Sequence, residues 1–366
     1  MHTVLVLGGY GFFGGRISAA LSKESAIHLL IGGRDLAKAR AKAKDLGLSE
    51  TQTVAIDATA CDLAGRLQQL GVNTLIHTAG PFQGQDYAVA EAAIEAGVNY
   101  IDLADGRGFV DGICALDYAA RKRGVLVTSG ASSLPSLSSA VVDRYLPRFM
   151  QLQEIRHGIG SGARAPGVAT MKGVFGYCGK PFSRLEDGRW GITHGWLDLR
   201  THNFPAPVGK RLLGSCDVPD LDLFPERYPG VHTVTFHAGF ASTAGHLAVW
   251  AGAQLVHMRL LRSLGSWVNP LRKISTWMEP LVSDKGGMFV TLRGLDHDGL
   301  PLQLSWHLLA ANHDGPHIPC GASIALAKKL ARGDSLPSGA MPCMGLISVE
   351  DYLAALKGLS VWEVPA

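Results

Sequence analysis

The stretch T-V-L-V-L-G-G-Y-G-F-F-G-G, residues 3–15, decides the fold of the N-terminal part of this chain. Thr3 to Leu7 are β-branched or apolar without a break, which predicts a strand buried on both faces. Arg16 to Lys23 then follows a helical pattern. The loop that joins the strand to the helix consists of Gly8, Gly9, Tyr10, Gly11, Phe12, Phe13 and Gly14.

Two glycine registers fit this loop at once: Gly9-x-Gly11-x-x-Gly14 and Gly8-x-x-Gly11-x-x-Gly14. Such glycines permit a tight turn, let the backbone approach a pyrophosphate, and let the helix pack close to the strand. The amides and the dipole at the helix start then favour phosphate. Because the loop lies between a strand and a helix, we predict a dinucleotide site at residues 8–14. A glycine-rich turn without a ligand is the alternative.

The second predicted strand, Ile27 to Ile31, ends at Gly32-Gly33-Arg34, where a dinucleotide fold meets the adenosine ribose. An acidic residue there would bind the 2′-hydroxyl, whereas an arginine accommodates a 2′-phosphate. Arg34 therefore favours NADP over NAD, although it could also stack on adenine and accept either cofactor. Asp35 is expected to cap the next helix. Asp57, just past the third strand, is a candidate for the adenine edge or a turn residue.

The fourth predicted strand, Thr74 to His77, opens into Thr78-Ala79-Gly80-Pro81. Small residues at this strand end allow a cofactor to lie across the sheet edge, so Ala79, Gly80 and Pro81 are further cofactor candidates. Strands and helices alternate six times with short connections up to Thr128. This alternation predicts an α/β fold with a Rossmann-type, doubly wound parallel sheet.

Composition narrows the class of protein. The 366 residues are 47% apolar and 18% charged, which fits a globular chain of two domains, and the formal net charge of +3 gives no indication of nucleic-acid binding. The six cysteines are scattered without a C-x-x-C pair, and Met1 leads directly into a core strand, so we expect a cytoplasmic protein. His313 and His317 are read as loop residues, and no metal site is expected.

Several stretches of the chain resemble the saccharopine dehydrogenase family. The most specific is A-x4-V-N-Y-I-D-L at residues 93–103, which is followed by S-S-L-P-S at residues 132–136. The glycine loop, Ile31 to Arg34, Ala79 to Phe82, and Gly339 to Pro342 also fit the family pattern. The resemblance implies an NAD(P)-dependent oxidoreductase. The family's well-studied members act on amino acids that are joined through, or oxidised to, a C–N imine.

The same resemblance implies the division into domains. Residues 1–135 and about 318–366 would form the dinucleotide-binding domain, and residues 136–317 an inserted mixed α+β domain for substrate binding and dimerisation. Within this insertion, we expect a hairpin from Gly286 to Leu309 and an irregular lobe from Pro205 to Tyr228. The apolar, tryptophan-bearing stretch 239–267 is expected to make a protein contact, in a homodimer or the core. Contact with a membrane surface is the less favoured alternative.

Two side chains are candidates for the chemistry on a small-molecule substrate. Asp102 follows the fifth strand and could grip a substrate amine or relay a proton, or it could simply cap the turn. Tyr177 ends a predicted helix of the insertion and could act as an acid, or be a half-buried aromatic residue. We expect the nicotinamide to lie in a cleft between the domains, with Asp102 near its reactive face and Tyr177 opposite.

Two classes of function remain open at this point. The first is an NADP-dependent oxidoreductase that acts on the C–N bond of a small amino or imino compound. The second is a dinucleotide-binding protein without turnover, acting as a sensor or a membrane-surface scaffold.

Overall fold

The computed structural model describes residues 1–162, 168–268 and 282–366. The chain forms two compact units: the first contains residues 1–137 and 317–356, and the second contains residues 138–316 and 357–366. The sequence-based division placed the whole C-terminal segment in the first unit. Residues 357–366 lie in the second unit instead, because the strand Val361–Val364 pairs with a strand of that unit.

The elements are labelled in chain order. The strands are β1 (His2–Leu7), β2 (Ile27–Gly33), β3 (Thr53–Ala55), β4 (Thr74–His77), β5 (Asn99–Asp102), β6 (Leu126–Ser129), β7 (Gln151–Gly160), β8 (Pro181–Glu186), β9 (Arg189–His194), β10 (Arg200–Phe204), β11 (Gly209–Ser215), β12 (Thr233–Gly239), β13 (Gly286–Leu295), β14 (Pro301–Ala310), β15 (Gly339–Pro342) and β16 (Val361–Val364). The α-helices are α1 (Gly14–Leu21), α2 (Leu36–Asp45), α3 (Leu63–Gln69), α4 (Ala88–Ala96), α5 (Arg107–Gly112), α6 (Asp117–Arg123), α7 (Ser138–Tyr145), α8 (Val168–Tyr177), α9 (Asp220–Arg227), α10 (Thr243–His257), α11 (Gly321–Arg332) and α12 (Val349–Ala355).

The first unit is built on a parallel seven-stranded sheet in the order β15-β6-β5-β4-β1-β2-β3. Val4 to Leu7 of β1 are buried, as expected for a central strand covered on both faces. The chain runs outward from β1 to β3 and then returns to the other side of β1 as β4. Open α/β sheets bind ligands where the strand order reverses in this way. The predicted Rossmann-type sheet is confirmed.

Local signals set the helix ends in this unit. The Asp35 side chain accepts a hydrogen bond from the Lys38 amide and caps α2, as predicted. Gly97 ends α4 with φ of +74°, a conformation that side-chain-bearing residues rarely adopt. Between β5 and β6 the chain forms α5, a 3₁₀ turn at residues 113–116, and α6, where the sequence pattern alone predicts one helix over residues 111–123. β15, which adds a strand beside β6, was not predicted.

The second unit contains a mixed seven-stranded sheet in the order β10-β11-β12-β7-β13-β14-β16. Only the β7–β12 pair is parallel among the pairs of this sheet that the structure describes. The β13–β14 hairpin has the predicted position, and its turn is closed by a hydrogen bond from the Asp296 amide to the Leu300 carbonyl.

The expectation of an irregular lobe between Pro205 and Tyr228 is wrong. This segment contains strand β11 and helix α9. Its prolines suggested a loop, but Leu221 and Phe224 are completely buried and fix the helix by packing. Tertiary burial therefore overrides the local sequence signal here.

The apolar stretch 239–267 contains the end of β12, helix α10 and a short 3₁₀ turn. The helix buries Val249, Ala253 and Val256 on one side, while Leu255 and Met258 are exposed. Within the described parts of the chain, we find no helix with the length and apolar character that a membrane crossing requires.

Candidate functional site

The glycine loop after β1 is tightly closed on itself. Gly8 has φ of +84°, and its carbonyl accepts a hydrogen bond from the Gly11 amide at 2.8 Å. A β-carbon on Gly14 would lie 2.6 Å from the Thr78 hydroxyl and would overlap the Gly8 carbonyl oxygen. The glycines at positions 8 and 14 are thus required by backbone conformation and by close approach, respectively.

The loop leaves backbone donors free at the start of α1. Among the described residues, the amides of Tyr10, Phe12, Phe13 and Gly14 donate no hydrogen bond. Unpaired amides at a helix start, together with the positive end of the helix dipole, form a site suited to phosphate groups. The residues present therefore fit the pyrophosphate of a dinucleotide.

Tyr10 connects this loop to the end of β2. Its ring occupies the space beside Gly33, where a β-carbon would lie 2.6 Å from the ring. Its hydroxyl accepts a hydrogen bond from the Asp35 amide at 3.1 Å. The end of β2, and with it Arg34, is consequently held next to the glycine loop.

Arg34 is exposed, and among the described residues it forms no hydrogen bond or ion pair. Its guanidinium is near Asp57, whose Oδ1 accepts hydrogen bonds from the amide and hydroxyl of Thr59. These bonds, with a smaller contribution from Arg34, hold the pKa of Asp57 below its usual range. Asp57 thus closes a turn with Thr59, and its contact with the adenine edge stays a prediction, as does the contact of Arg34 with a 2′-phosphate.

The segment after β4 borders the glycine loop. The amide and hydroxyl of Thr78 both donate to the Leu7 carbonyl at 2.9 Å, which joins the ends of β4 and β1. Ala79 and Pro81 are exposed, Gly80 is half-buried, and their backbone is held by the Gln85 side chain, which donates to the carbonyls of residues 79 and 81. These residues form the second edge of the groove at the reversal point of the sheet.

Asp102 lies at the end of β5 and is completely buried. Its Oδ1 accepts three hydrogen bonds, each 2.9 Å long, from the Ala104 amide, the Ser129 hydroxyl and the Gly130 amide. Burial raises the pKa of its carboxyl to about 6, against the opposing effect of these donors. The side chain ties the end of β5 to the end of β6.

Comparison with known proteins agrees with this geometry. Residues 4–129 match the family model described as the saccharopine dehydrogenase NADP binding domain. The dinucleotide-binding part of the chain is therefore similar to the NADP binding domain of saccharopine dehydrogenases. The chain also resembles carboxyaminopropylagmatine dehydrogenase of Synechocystis sp., with 35% identity over 106 residues. That similarity covers 29% of this chain, and the chain spans only 26% of the relative's length.

A solved structure resembles the whole chain in fold. It is the apo form of histidine-tagged saccharopine dehydrogenase (L-Glu forming) from Saccharomyces cerevisiae. The two chains superpose with a TM-score of 0.70 over 100% of each, at 14% sequence identity. This identity is low enough that the comparison supports the fold alone.

The first unit contains a second carboxylate that sequence reasoning missed. Asp105 lies in the loop after β5 and is half-buried, and its Oδ1 accepts a hydrogen bond from Gln83 at 2.9 Å. Burial raises the pKa of its carboxyl above the ordinary value. Its position in D-L-A-D-G, three residues after Asp102, is the sequence signal that could have identified it.

His77, at the end of β4, is a second residue of the first unit that sequence reasoning missed. Its side chain is buried against Phe82, with ring centroids 5.1 Å apart, and against Tyr100. Burial lowers the pKa of its imidazole to about 4, so the ring is neutral at physiological pH. His77 is the register partner of Asp102 on the neighbouring strand.

Tyr177 belongs to the second unit, whereas Asp102 belongs to the first. It is the last residue of α8 and is half-buried against Gly195, where a β-carbon would lie 2.7 Å from its ring. Burial raises the pKa of the Cys216 thiol to about 12, and a hydrogen bond between this thiol and the Tyr177 side chain opposes the increase. The predicted role of Tyr177 at the nicotinamide stays a prediction.

Proposed function

We propose that this protein is an NADP-dependent oxidoreductase that acts on the C–N bond of a small amino or imino compound. The observation that carries the proposal is the glycine loop of residues 8–14, with its unpaired amides at the start of α1 and the unpaired Arg34 beside it. Together with the family match over residues 4–129, this arrangement supports NADP as the cofactor.

Different residues of the first unit would bind different parts of the cofactor. The amides of the glycine loop would bind the pyrophosphate, and the Arg34 guanidinium would bind the 2′-phosphate. Ala79, Gly80 and Pro81 would leave space along the sheet edge for the nicotinamide half. When bound, NADP supplies or accepts the hydride, and the protein positions the substrate and handles one proton.

Asp105 is the residue that we propose for this proton. It is partly accessible at the carboxyl end of β5, the sheet edge at which ligands bind, and burial raises the pKa of its carboxyl, which favours its protonated form. Asp102 has no accessible surface, and we propose that it positions the ends of β5 and β6. Tyr177 is the corresponding proposal from the second unit.

The substrate class rests on the sequence similarity to carboxyaminopropylagmatine dehydrogenase, since the resemblance to the saccharopine dehydrogenase structure supports the fold alone. This similarity supports a substrate whose reacting bond joins carbon and nitrogen. The particular compound requires experiment.

The test is reduction of imines that form from 2-oxo acids and amines in the presence of NADPH that carries deuterium at both C4 positions. The proposal predicts NADPH oxidation and one deuterium on the carbon bonded to nitrogen, located by mass spectrometry. NADPH binding without oxidation across a broad panel would favour a non-catalytic sensor. Oxidation without deuterium at that carbon would rule out the C–N reaction.

We further propose a cytoplasmic homodimer that does not bind membranes. The six cysteines are free, which fits a reducing compartment, and exposed Leu255 of α10 and Met258 directly after this helix offer an apolar contact. Sedimentation should give a dimer that Met258→Glu weakens. Salt-sensitive flotation with anionic vesicles would instead identify the surface as membrane-binding.

A further inference from the structure

A cavity of about 290 Å³ opens on the sheet of the second unit, and every residue that lines it belongs to that unit. Small-molecule sites start at roughly 300 Å³, so the cavity is large enough for a compact ligand. It is separate in sequence from all of the residues assigned to the cofactor.

The register of the sheet places a polar row across the cavity. Arg156 of β7 pairs with Thr235 of β12 on one side and with Thr291 of β13 on the other. Thr291 pairs in turn with Ser305 of β14, and their hydroxyl oxygens are 3.1 Å apart. Register partners lie on the same face of a sheet, so three hydroxyls and one guanidinium form a continuous row.

A flat aromatic wall lies in the adjacent row. Gly158 leaves space for the Phe289 ring, because a β-carbon at position 158 would lie 2.7 Å from that ring. The His202 imidazole stacks on Phe289 with centroids 3.7 Å apart and an interplanar angle of 8°. The cavity therefore combines a polar row with an apolar, planar surface.

The charge that lines the cavity is positive. Arg156, Arg200 and Arg293 contribute to the lining, and none of the described lining residues is acidic. The acids that pair with these arginines stand outside the lining; they are Glu154, Glu186 and Asp198. A fourth arginine, Arg184, pairs with Glu186 and Asp198. The four guanidinium groups and three carboxylates together leave one positive charge in excess.

Two of these arginines keep unused donors. Arg156 donates Nε to Glu154 at 2.8 Å, and Arg293 donates Nε to Gln303 at 2.7 Å. Among the described residues, the terminal nitrogens of both form no hydrogen bond; Arg156 Nη1 lies 4.0 Å from Glu186 Oε1, and Arg293 Nη1 lies 3.7 Å from Glu154 Oε2. A guanidinium has five N–H groups in a fork that matches a carboxylate.

We propose that this cavity is a ligand site for a small organic carboxylate with a flat apolar body. The free N–H groups of Arg156 and Arg293 and the hydroxyl row hold the carboxylate, and the body lies beside the stacked rings of His202 and Phe289. This site is additional to the cofactor groove, and its occupancy does not depend on the proposed oxidoreductase activity.

The test uses the full-length protein without NADPH, with benzoate as the probe and benzamide as its neutral isostere. Isothermal titration calorimetry should show benzoate binding at one site, with benzamide at least tenfold weaker, since a lost charge-assisted pair costs at least a factor of ten. Equal affinities for the two compounds, or no benzoate binding at millimolar concentrations, would overturn the proposal.

Three variants locate the binding. Arg156→Gln and Arg293→Gln should each weaken benzoate binding at least tenfold, and Thr291→Val, which keeps the side-chain shape, should weaken it severalfold. The matched control is Arg227→Gln, which removes an arginine of similar exposure that is ion-paired with Asp143 elsewhere in the same unit. Its affinity for benzoate should stay within twofold of the unmutated protein.

The remaining outcomes are also decisive. Circular dichroism shows whether each variant is folded. If Arg156→Gln unfolds, two variants still test the site: Arg293→Gln, because Arg293 is half-exposed, and Thr291→Val, because this change is nearly isosteric. Folded variants that bind benzoate normally would contradict the assignment. A second contradicting result combines two findings: the arginine variants convert a dimer to a monomer, and no form of the protein binds benzoate. The sheet face would then be a contact between copies of the chain.

Discussion

Gly14 at the start of α1 faces the carbonyl oxygen of Gly8 so closely that no β-carbon fits between them. The same missing side chain leaves space for the Thr78 hydroxyl, which is anchored to the Leu7 carbonyl at the end of β1. A single glycine thus permits the contact between the loop, the helix and the neighbouring strand end. The dinucleotide groove depends on this contact.

Gly14→Ala should therefore destabilise the first unit and abolish tight NADPH binding. Overpacking of this kind costs about 1–3 kcal/mol in the free energy of unfolding. Gly65→Ala, in α3, is the control, because a β-carbon there meets no neighbour; it should leave the protein equally or more stable. Urea denaturation and NADPH titration measure both effects, and normal binding by Gly14→Ala would contradict the packing argument.

Arg34→Ala should remove the preference for NADPH over NADH. The lost pair with the 2′-phosphate costs about 1.5–3 kcal/mol, which is on the order of ten- to hundredfold in the NADPH dissociation constant. The NADH affinity should change little. Arg40→Ala is the matched control, since Arg40 is an exposed arginine of α2 that pairs with Glu50. A similar loss for both cofactors in Arg34→Ala would mean that Arg34 stacks on adenine instead.

Asp102 makes the stability of the protein depend on pH. Because burial raises the pKa of its carboxyl to about 6, the folded state holds a proton that the unfolded state has released. The protonated Asp102 carboxyl therefore contributes fully to the free energy of unfolding at pH values below the ordinary pKa of an aspartate. This contribution is lost as the pH rises through about 6. One pKa unit corresponds to about 1.4 kcal/mol, so the loss is roughly 3 kcal/mol.

Asp102→Asn does not titrate and can keep all three hydrogen bonds to Oδ1. Relative to the unmutated protein, it should gain roughly 3 kcal/mol in the free energy of unfolding between pH 4 and pH 7. Chemical denaturation at a series of pH values gives this difference, with Asp111→Asn at an exposed site as the control. A difference that is constant with pH would show that Asp102 is ionised throughout.

Asp105→Asn should lower turnover by roughly 10²–10⁴-fold once a substrate is found, since that is the usual contribution of an acid–base group. NADPH binding should be unchanged, and Asp111→Asn should retain full activity. A shift in the pH profile of kcat separates loss of a proton-handling group from a merely structural effect. Unchanged turnover in Asp105→Asn would leave Tyr177 as the proposed acid.

Much of the first unit could be predicted from sequence because its signals are local. An uninterrupted apolar strand followed by closely spaced glycines specifies a strand, a tight loop and a helix without reference to distant residues. β15 could not be predicted in this way. Its sequence, Gly339 to Pro342, is typical of a loop, and it is a strand only because β6 provides hydrogen-bonding partners.

The candidate proton-handling residue could not be identified from sequence, because its identification depends on burial. Asp102 and Asp105 are three residues apart and chemically identical, but one is enclosed by donors from β6 and the other is accessible. Burial depends on the tertiary fold, which sequence patterns do not contain. The row of Arg156, Thr291 and Ser305 could not be predicted from sequence either, because these residues lie on three separate strands that only the folded sheet brings together.

The most direct test of the central claim is a crystal structure of the protein with NADP⁺. The account predicts a pyrophosphate within hydrogen-bonding distance of the amides of residues 10–14 and a 2′-phosphate in contact with the Arg34 guanidinium. The nicotinamide should lie beyond Pro81, toward Asp105. A structure with no NADP⁺ in this groove at saturating concentration, or with the 2′-phosphate away from Arg34, would contradict the account.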